Sequence, residues 1–154
     1  MQAQHPVLVV TGGSQGIGAA TAILAAARGY AVALSYRSAE DHAERVVRQI
    51  RAAGGIAIAF QANAASAADT ARLFQTADRE LGRATALVNN AGITGPVARL
   101  DQITEAVLDD VLATNVKGCF LALREAIARM ATDLGGPGGA VVNVSSRAAA
   151  LGGP

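Results

Sequence analysis

The sequence predicts an α/β protein with a doubly wound parallel sheet in the strand order 3-2-1-4-5. Short apolar runs alternate with longer amphipathic stretches along the 154 residues, as repeated strand–helix–strand units require. The apolar runs are nearly continuous, which is typical of strands buried on both faces of a sheet. Aromatic residues make up only 3% of the chain and there are 17 glycines, a composition that allows helices to pack closely on a sheet.

Each predicted element has its own signal. Apolar runs predict strands at 7–10, 31–34, 56–60, 86–88 and 140–144. Helical periodicity predicts helices at 17–28, 38–53, 66–81, 101–112 and 114–131. Ser38 with Asp41, and Ser66 with Asp69, have the spacing of a capping box at a helix start. The sequence Gly-Gly-Pro-Gly-Gly at 135–139 predicts the loop before the last strand.

Composition and charge exclude several classes of function. The chain has 13 basic and 12 acidic residues with no basic stripe, so no nucleic-acid partner is expected. No apolar run reaches the roughly 18 residues of a membrane span, and the polar segment 1–6 lacks the features of a signal peptide. His5 and His42 are not clustered with other ligands, so no metal site is expected. The single Cys119 cannot form an internal disulfide, which suits a cytoplasmic protein.

The strongest functional signal is a glycine turn, Gly12-x-x-x-Gly16-x-Gly18, between the first strand and the first helix. Glycine permits a sharp turn and lets backbone N–H groups approach a ligand closely. The N–H groups and the dipole at the start of the following helix attract an anion. The motif predicts a site for the pyrophosphate of a dinucleotide; the alternative is a glycine-rich turn without a ligand. The residues of this predicted site are Gly12, Ser14, Gln15, Gly16, Ile17 and Gly18.

Four motifs in order resemble those of the short-chain dehydrogenase/reductase family. The first is the glycine turn, whose spacing is that of this family rather than the common G-x-G-x-x-G. The others are Asn89-Asn90-Ala91-Gly92, Asn115-Val116-Lys117-Gly118 and Val142-Asn143-Val144-Ser145-Ser146. The resemblance covers the whole chain. It implies a single Rossmann-like dinucleotide-binding domain over 1–154, incomplete at its C-terminus because the last strands of the family's fold are missing.

The resemblance implies a nicotinamide cofactor, NADP first and NAD as the second choice. Tyr36 stands where NAD-binding relatives carry Asp, and Arg37 where similar proteins place a basic residue against the 2′-phosphate of NADP. Gln15 argues the other way, because many NADP-preferring relatives carry Arg there, and Arg37 could instead be a solvated surface charge. The implied cofactor contacts beyond the glycine turn are Tyr36, Arg37, Ser38, Asn63, Ala64, Asn90, Ala91 and Gly92.

Two asparagines among these contacts have particular expected roles. Asn63 stands where relatives often carry an Asp against the adenine, and its side-chain carbonyl can still accept a hydrogen bond from the adenine amino group. Asn90 is similar to a residue near the adenine-side ribose. The segment that contains Asn90 is also expected to brace the central sheet, so its structural role can exceed its binding role.

The resemblance also implies a carbonyl or alcohol substrate and hydride transfer to or from the nicotinamide. Ser146 matches the family's serine that steadies the substrate oxygen, with Ser145 as the alternative register. Asn115 matches the family's asparagine that holds a relay water. Each residue also has a structural interpretation. Ser146 could satisfy local backbone groups at a strand end, and Asn115 could cap a helix start.

The family's Tyr-x-x-x-Lys pair does not occur in these 154 residues, because neither Tyr30 nor Tyr36 is followed by Lys four positions later. The chain is therefore expected to be the N-terminal part of an enzyme and inactive by itself. The alternatives are a non-catalytic dinucleotide-binding module and a subunit completed by another chain. Similar proteins are often homotetramers that pair through the long helix near Asn115. An apolar strip on that helix that is compatible with such pairing comprises Leu121, Ala122 and Ala128.

Overall fold

The computed structural model describes residues 5–152, so most of the polar segment 1–6 and residues 153–154 lie outside it. The strands are β1 (Val7–Val10), β2 (Ala31–Tyr36), β3 (Ile56–Gln61), β4 (Ala84–Asn89) and β5 (Ala140–Asn143). The helices are α1 (Gly16–Ala27), α2 (Glu40–Ala52), α3 (Ala67–Glu80), α4 (Glu105–Leu112), α5 (Gly118–Met130) and the single turn α6 (Ala148–Leu151). Short 3₁₀ turns lie at Leu100–Gln102 and Thr132–Leu134, and residues 136–139 form the predicted loop.

All the strand pairs are parallel, and the strands lie in the order β3-β2-β1-β4-β5, which confirms the predicted fold class. The chain passes from β1 to β2 on one side of the sheet centre and from β4 to β5 on the other. The order therefore reverses between β1 and β4. In open α/β sheets, ligands bind outside the carboxyl ends of the strands at such a reversal.

Alternating side chains of the central strands feed two separate cores, which explains why their sequences are continuously apolar. Leu8 and Val10 of β1 face the layer formed by α1 and α2, whereas Val9 faces the layer formed by α3 and α5. The first core includes Ala22, Ala26, Val32, Leu34, Val47 and Ile50. The second includes Ala33, Leu73, Phe74, Leu87, Ala122, Ala126 and Met130.

The helical spacing of the sequence places Val116, Cys119, Phe120, Leu123, Ile127 and Met130 on one apolar face of the long helix, but only Met130 of these is buried. The buried positions of α5 are Gly118, Ala122, Ala126 and Met130. Three residues of the predicted face, Val116, Phe120 and Ile127, are exposed, with Phe120 at 70%. The reason is the short distance to the neighbouring backbone: a Cβ at position 118 would lie 3.1 Å from the Ala64 carbonyl oxygen. Small side chains therefore face inward along most of α5, whereas Phe120 and Ile127 project outward.

Two predicted helix starts differ from the structure. Helix α2 begins at Glu40 with Ala39 as its N-cap and no side-chain capping bond, so the capping box at Ser38 is wrong. The chain bends at Arg37 and Ser38 after β2, which displaces the helix start by two residues. Helix α4 begins at Glu105 rather than at 101, because the Thr104 hydroxyl accepts a hydrogen bond from the Val107 N–H at 3.3 Å.

The capping interaction predicted for α3 is confirmed in part. The Ser66 hydroxyl accepts a hydrogen bond from the Asp69 N–H at 3.2 Å, as a capping box requires. The Asp69 carboxylate does not return to Ser66 and instead accepts from the Asn63 N–H at 2.9 Å. The helix start is thereby tied to the loop that leaves β3.

The predicted break between the helices at 101–112 and 114–131 does not exist. Helices α4 and α5 are joined by a π-helical turn, Ala113–Lys117, whose backbone stays helical throughout. Such a turn adds one residue to the helical repeat and commonly occurs at functional sites. Asn115 therefore lies within a continuous helix, and its predicted alternative role as a helix-start cap is wrong.

Candidate functional site

A cleft of about 610 Å³ opens at the carboxyl ends of the strands, where the strand order reverses. Of the residues predicted to contact a cofactor, only Gly18 does not line it. The predicted residues that line it are Gly12, Ser14, Gln15, Gly16, Ile17, Tyr36, Arg37, Ser38, Asn63, Ala64, Asn90, Ala91 and Gly92. The sequence did not single out the other lining residues as cofactor contacts: Ser35, Ala39, Ala62, Ile93 and Thr114. The structure thus brings residues from five separate parts of the chain to one cleft.

The glycines of the turn serve different needs. Gly12 and Gly16 have positive φ angles of 65° and 56°, a backbone region that is costly for other L-residues. Gly18 has an ordinary helical backbone, but a Cβ there would overlap the Gly12 carbonyl oxygen and lie 2.5 Å from Asn90 Nδ2. Gly18 therefore allows α1 to approach the rest of the turn and acts through packing rather than as part of the cleft wall.

Some backbone N–H groups of the turn are hydrogen-bonded within the protein, and others at the start of α1 have no intrahelical acceptor. The Gly12 N–H donates to the Ser35 hydroxyl at 3.2 Å, and the Gly13 N–H donates to the Ser35 carbonyl at 2.8 Å. The first intrahelical bond of α1 runs from the Ala19 N–H to the Gln15 carbonyl, and Gln15 makes no side-chain capping bond. The N–H groups of residues 16–18 therefore have no intrahelical acceptor, as is usual for anion sites at helix starts.

A pair of polar side chains joins the turn to the end of β4. The Asn90 amide donates to the Thr11 carbonyl at 3.1 Å and to the Gly12 carbonyl at 2.8 Å. In return, the buried Thr11 hydroxyl accepts from the N–H groups of Asn90 and Ala91 at 3.0 and 3.1 Å. Both protons of the Asn90 amide group are thus used within the protein. Thr11 was not among the predicted site residues, because its only signal in the sequence is a hydroxyl at the end of an apolar strand.

At the end of β2, the five consecutive residues 35–39 line the cleft. Tyr36 is buried among the core residues of α1 and α2, and this burial raises the pKa of its phenol, with the carboxylates of Glu40 and Glu44 adding to the effect. The Arg37 backbone carbonyl accepts a hydrogen bond from the Gln61 side-chain amide at 3.1 Å, while the Arg37 guanidinium forms no ion pair within residues 5–152. Arg37 is thus a cleft-lining residue whose positive charge has no ion-pair partner among residues 5–152.

Asn63 lies at the far end of the cleft in a local turn. Its side-chain carbonyl accepts a hydrogen bond from the Ala65 N–H at 3.0 Å, which forms an Asx turn after β3. The next residue, Ala64, provides the backbone against which Gly118 of α5 packs. The long helix and the cleft wall are therefore in direct contact at this point.

The two predicted catalytic residues do not line the cleft. The Asn115 side-chain amide forms two hydrogen bonds with the backbone of Ile93. Its Oδ1 accepts from the Ile93 N–H and its Nδ2 donates to the Ile93 carbonyl, each at 2.8 Å. Ile93 lines the cleft, so Asn115 acts on the cleft wall through it. Ser146 is exposed beyond β5, and its hydroxyl accepts from the Ala148 N–H at 3.1 Å. Ser145, the alternative register, is also exposed.

The described part of the chain contains neither a group of side chains arranged to bind a metal ion nor a helix able to cross a membrane. Among residues 5–152, no group of three or more His, Cys, Asp or Glu side chains is arranged to bind a metal ion. No helix in the same range is both long enough and apolar enough to cross a membrane.

The parallel sheet, its strand order and the cleft at the reversal point define a Rossmann-like dinucleotide-binding class of α/β protein. A sequence profile of the family described as short chain dehydrogenase matches residues 6–154. The chain belongs to this family.

Individual relatives agree with this assignment. The chain is 45% identical over 148 residues to the uncharacterized oxidoreductase YgfF of Escherichia coli, covering 96% of this chain and 60% of the relative. It is 39% identical over 146 residues to 3-oxoacyl-acyl-carrier-protein reductase FabG of Staphylococcus aureus, covering 95% of this chain and 58% of FabG. A short chain dehydrogenase from Burkholderia cenocepacia, solved in complex with NADP, superposes with a TM-score of 0.87 at 33% identity, over 100% of this chain and 60% of its own. The chain thus spans about three fifths of the length of these relatives.

We expect Gly18→Ala to be more destabilising than Gly16→Ala. The new methyl group at position 18 meets the Gly12 carbonyl and the Asn90 amide, whereas a methyl group at position 16 meets nothing within 4 Å and costs only backbone strain. The expected losses are about 3 kcal/mol or more for Gly18→Ala and about 1–2 kcal/mol for Gly16→Ala. Urea denaturation followed by circular dichroism measures both. Equal losses would contradict the packing role of Gly18.

Proposed function

We propose that this protein is an NAD(P)-dependent oxidoreductase that transfers a hydride between a nicotinamide and a carbonyl or alcohol substrate. The observation that carries this proposal is the cleft at the strand-order reversal, with the unpaired N–H groups of residues 16–18 at its edge. Its volume of about 610 Å³ is within the usual range for small-molecule sites. The names of the E. coli and S. aureus relatives, an oxidoreductase and a reductase, support the same class of reaction.

The residues present fit a dinucleotide. The first turn of α1 would bind the pyrophosphate, and Gly12 and Gly16 leave the backbone free of side chains that would obstruct it. Asn63 and Ala64 would lie on the adenine side, with Arg37 and Ser38 beside the ribose. Asn90, Ala91 and Gly92 would line the opposite wall, where the Thr11 and Asn90 hydrogen bonds hold the backbone in place.

The chemical step would use the nicotinamide ring as hydride donor or acceptor. Ser146 would donate a hydrogen bond to the substrate oxygen, and this requires the Ser146 hydroxyl to point toward the substrate. Asn115 would hold the Ile93 backbone through its two hydrogen bonds and support a relay water. The 154 residues contain no Tyr-x-x-x-Lys pair, so we propose that the proton-transferring tyrosine and its lysine come from outside them.

We propose NADP as the preferred cofactor, with NAD as the second choice. The supporting observation is that Arg37 lines the cleft and that its guanidinium forms no ion pair with another residue in the range 5–152. A charge of this kind can bind a 2′-phosphate at little cost because no internal salt bridge has to be broken. The Burkholderia relative, which was solved with NADP, supports the same choice.

Replacing Arg37 with Ala is expected to weaken NADPH binding by roughly ten- to a hundredfold, the value of one charge-assisted hydrogen bond. NADH lacks the 2′-phosphate, so its dissociation constant should change less than twofold. Titration of nicotinamide fluorescence measures both. Arg48→Ala is the matched control because Arg48 is exposed on α2 outside the cleft. A mutant that keeps its preference for NADPH, or a wild type without one, would refute the NADP assignment.

The activity itself is tested in a protein that continues beyond Pro154 to the tyrosine and lysine. NADPH oxidation that depends on an added carbonyl compound, including 3-oxoacyl thioesters because of the S. aureus relative, is the expected result. Ser146→Ala should lower kcat by about a hundred- to a thousandfold, as loss of an oxyanion donor does elsewhere, while NADPH binding stays unchanged. Ser145→Ala is the matched control for the register of the two serines.

We propose as a second candidate function a dinucleotide-binding module without turnover, because predicted cofactor residues line the cleft whereas Ser146 and Asn115 do not. Residues 1–154 alone are expected to bind NADPH without oxidising it. If the natural product ends at Pro154, two outcomes separate the alternatives. Binding without carbonyl-dependent oxidation supports the module, whereas activity restored by a co-purifying polypeptide supports a subunit completed by another chain.

We also propose a homo-oligomer, a tetramer by family resemblance, that forms through the α4–α5 helix. Leu108, Leu112, Val116 and Phe120 follow one another at four-residue intervals and are between 48% and 70% exposed. An exposed apolar row of this length is typical of a protein–protein interface. This row replaces the strip suggested by the sequence, because Ala122 of that strip is buried against the sheet.

Phe120→Asp should therefore lower the oligomeric state, since a carboxylate at the centre of an apolar contact is costly to desolvate. Size-exclusion chromatography with light scattering gives the mass. Leu24→Asp is the control because Leu24 is also exposed, at 53%, but lies on α1. A wild-type monomer, or a Phe120→Asp variant of unchanged mass, would be evidence against this interface.

The proposed location of the protein is the cytoplasm. Cys119 is the only cysteine, and it is half-buried in α5. Burial raises the pKa of its thiol, which keeps the thiol protonated and unreactive near neutral pH. A chain without a disulfide is compatible with a reducing compartment.

A further inference from the structure

Ser35 occupies a position that the proposed binding and catalytic roles do not use. It is the second-to-last residue of β2, it is only 4% exposed, and it lines the cleft directly before Tyr36. Its hydroxyl accepts the Gly12 N–H at 3.2 Å, and its carbonyl accepts the Gly13 N–H at 2.8 Å. One residue of a neighbouring strand therefore binds the first two N–H groups of the glycine turn.

The Gly12 peptide units are held from both sides of the cleft. From β2, the Ser35 hydroxyl accepts the Gly12 N–H, and from the end of β4 the Asn90 amide donates to the Gly12 carbonyl at 2.8 Å. The turn also lies directly on β2, because a Cβ at Gly13 would be 2.6 Å from the Leu34 Cβ. The orientation of the turn relative to the two strands is thus determined by hydrogen bonds from two directions.

This arrangement decides which N–H groups are available to a ligand. With the N–H groups of Gly12 and Gly13 bound to Ser35, the N–H groups at the start of α1 remain without an intrahelical acceptor. A turn that rotated about its first residues would move these donors away from the cleft. We propose that Ser35 is a positioning residue for the cofactor, whose hydroxyl holds the Gly12 N–H and thereby orients the start of α1 toward the pyrophosphate.

The requirement for a hydroxyl at this position follows from the chemistry of the bond. The side chain must be short enough to fit beneath the turn and must present an oxygen acceptor to a backbone N–H. Alanine at position 35 fits but provides no acceptor, so the Gly12 N–H loses its partner in a partly buried position. Threonine retains the acceptor oxygen and suits a strand. The inference rests on the proposed function, since only a bound cofactor gives the orientation of α1 a consequence.

The first experiment is a cofactor titration of the wild type, Ser35→Ala and Ser35→Thr. Ser35→Ala should raise the dissociation constants of NADPH and NADH by the same factor, about three- to tenfold, because both cofactors carry the pyrophosphate. Ser35→Thr should stay within about twofold of the wild type. This pattern differs from that expected of Arg37→Ala, which affects NADPH alone.

Thr85→Ala provides the matched control. The Thr85 hydroxyl also accepts a backbone N–H, that of Val7 at 3.1 Å, but it does so at the opposite end of the sheet. The two alanine variants should lose similar thermal stability, and only Ser35→Ala should bind cofactor less tightly. If both variants weaken cofactor binding equally, or if Ser35→Ala leaves both dissociation constants unchanged, the positioning role is overturned.

A second measurement needs no cofactor. Amide hydrogen exchange followed by NMR should show the Gly12 N–H exchanging at least about tenfold faster in Ser35→Ala than in the wild type, with no such change in Thr85→Ala. Unchanged exchange at Gly12 would remove the basis of the inference. A wild type that binds no dinucleotide would instead refute the proposed function, so the two failures are distinguishable.

Discussion

The close contact between the glycine turn and the ends of β2 and β4 is the constraint on which the candidate site depends. Gly13 lies against the Cβ of Leu34, and Gly18 lies against the Gly12 carbonyl and the Asn90 amide. Side chains at these positions would separate the turn from the strands or α1 from the turn. Because the glycines bring no side chain to these contacts, helix α1 starts at the edge of the cleft, and its first N–H groups have no intrahelical acceptor.

Small residues also allow close packing in the layer formed by α3 and α5. Gly118, Ala122 and Ala126 allow the long helix to lie close to the sheet and to the Ala64 backbone, which belongs to the cleft wall. Close packing leaves no space for a side chain at Gly118, and Phe120 points outward. The inner face of this helix is therefore made mostly of small residues, with Met130 near its end. The exposed larger apolar residues are the ones that we propose as an oligomer interface.

Short polar side chains hold the loops at the carboxyl ends of the strands. Thr11, Ser35 and Asn90 connect three strand ends to one another through backbone groups that have no partner within the sheet. Asn115 does the same for the segment after β4, from a π-helical turn on the long helix. Buried backbone groups require hydrogen-bond partners, and these four residues supply them where the regular ladder ends. The cleft is thus lined by backbone held in defined positions.

The sequence by itself determined the layered fold, the strand order and the place of the cleft. Continuous apolar strands, helical periodicity and a glycine turn between a strand and a helix are local signals, and each follows from backbone geometry over a few residues. Only the tertiary structure decided which face of the long helix is buried. Apolar residues such as Val116 and Phe120 have the same helical spacing whether their face packs on the sheet or is exposed. The close approach of Gly118 to the Ala64 backbone decides which face of the helix lies inward. The roles of Ser35 and Thr11 could likewise not be predicted from the sequence. Their hydrogen bonds join residues that are 23 and 79 positions apart and exist only when the strands lie side by side.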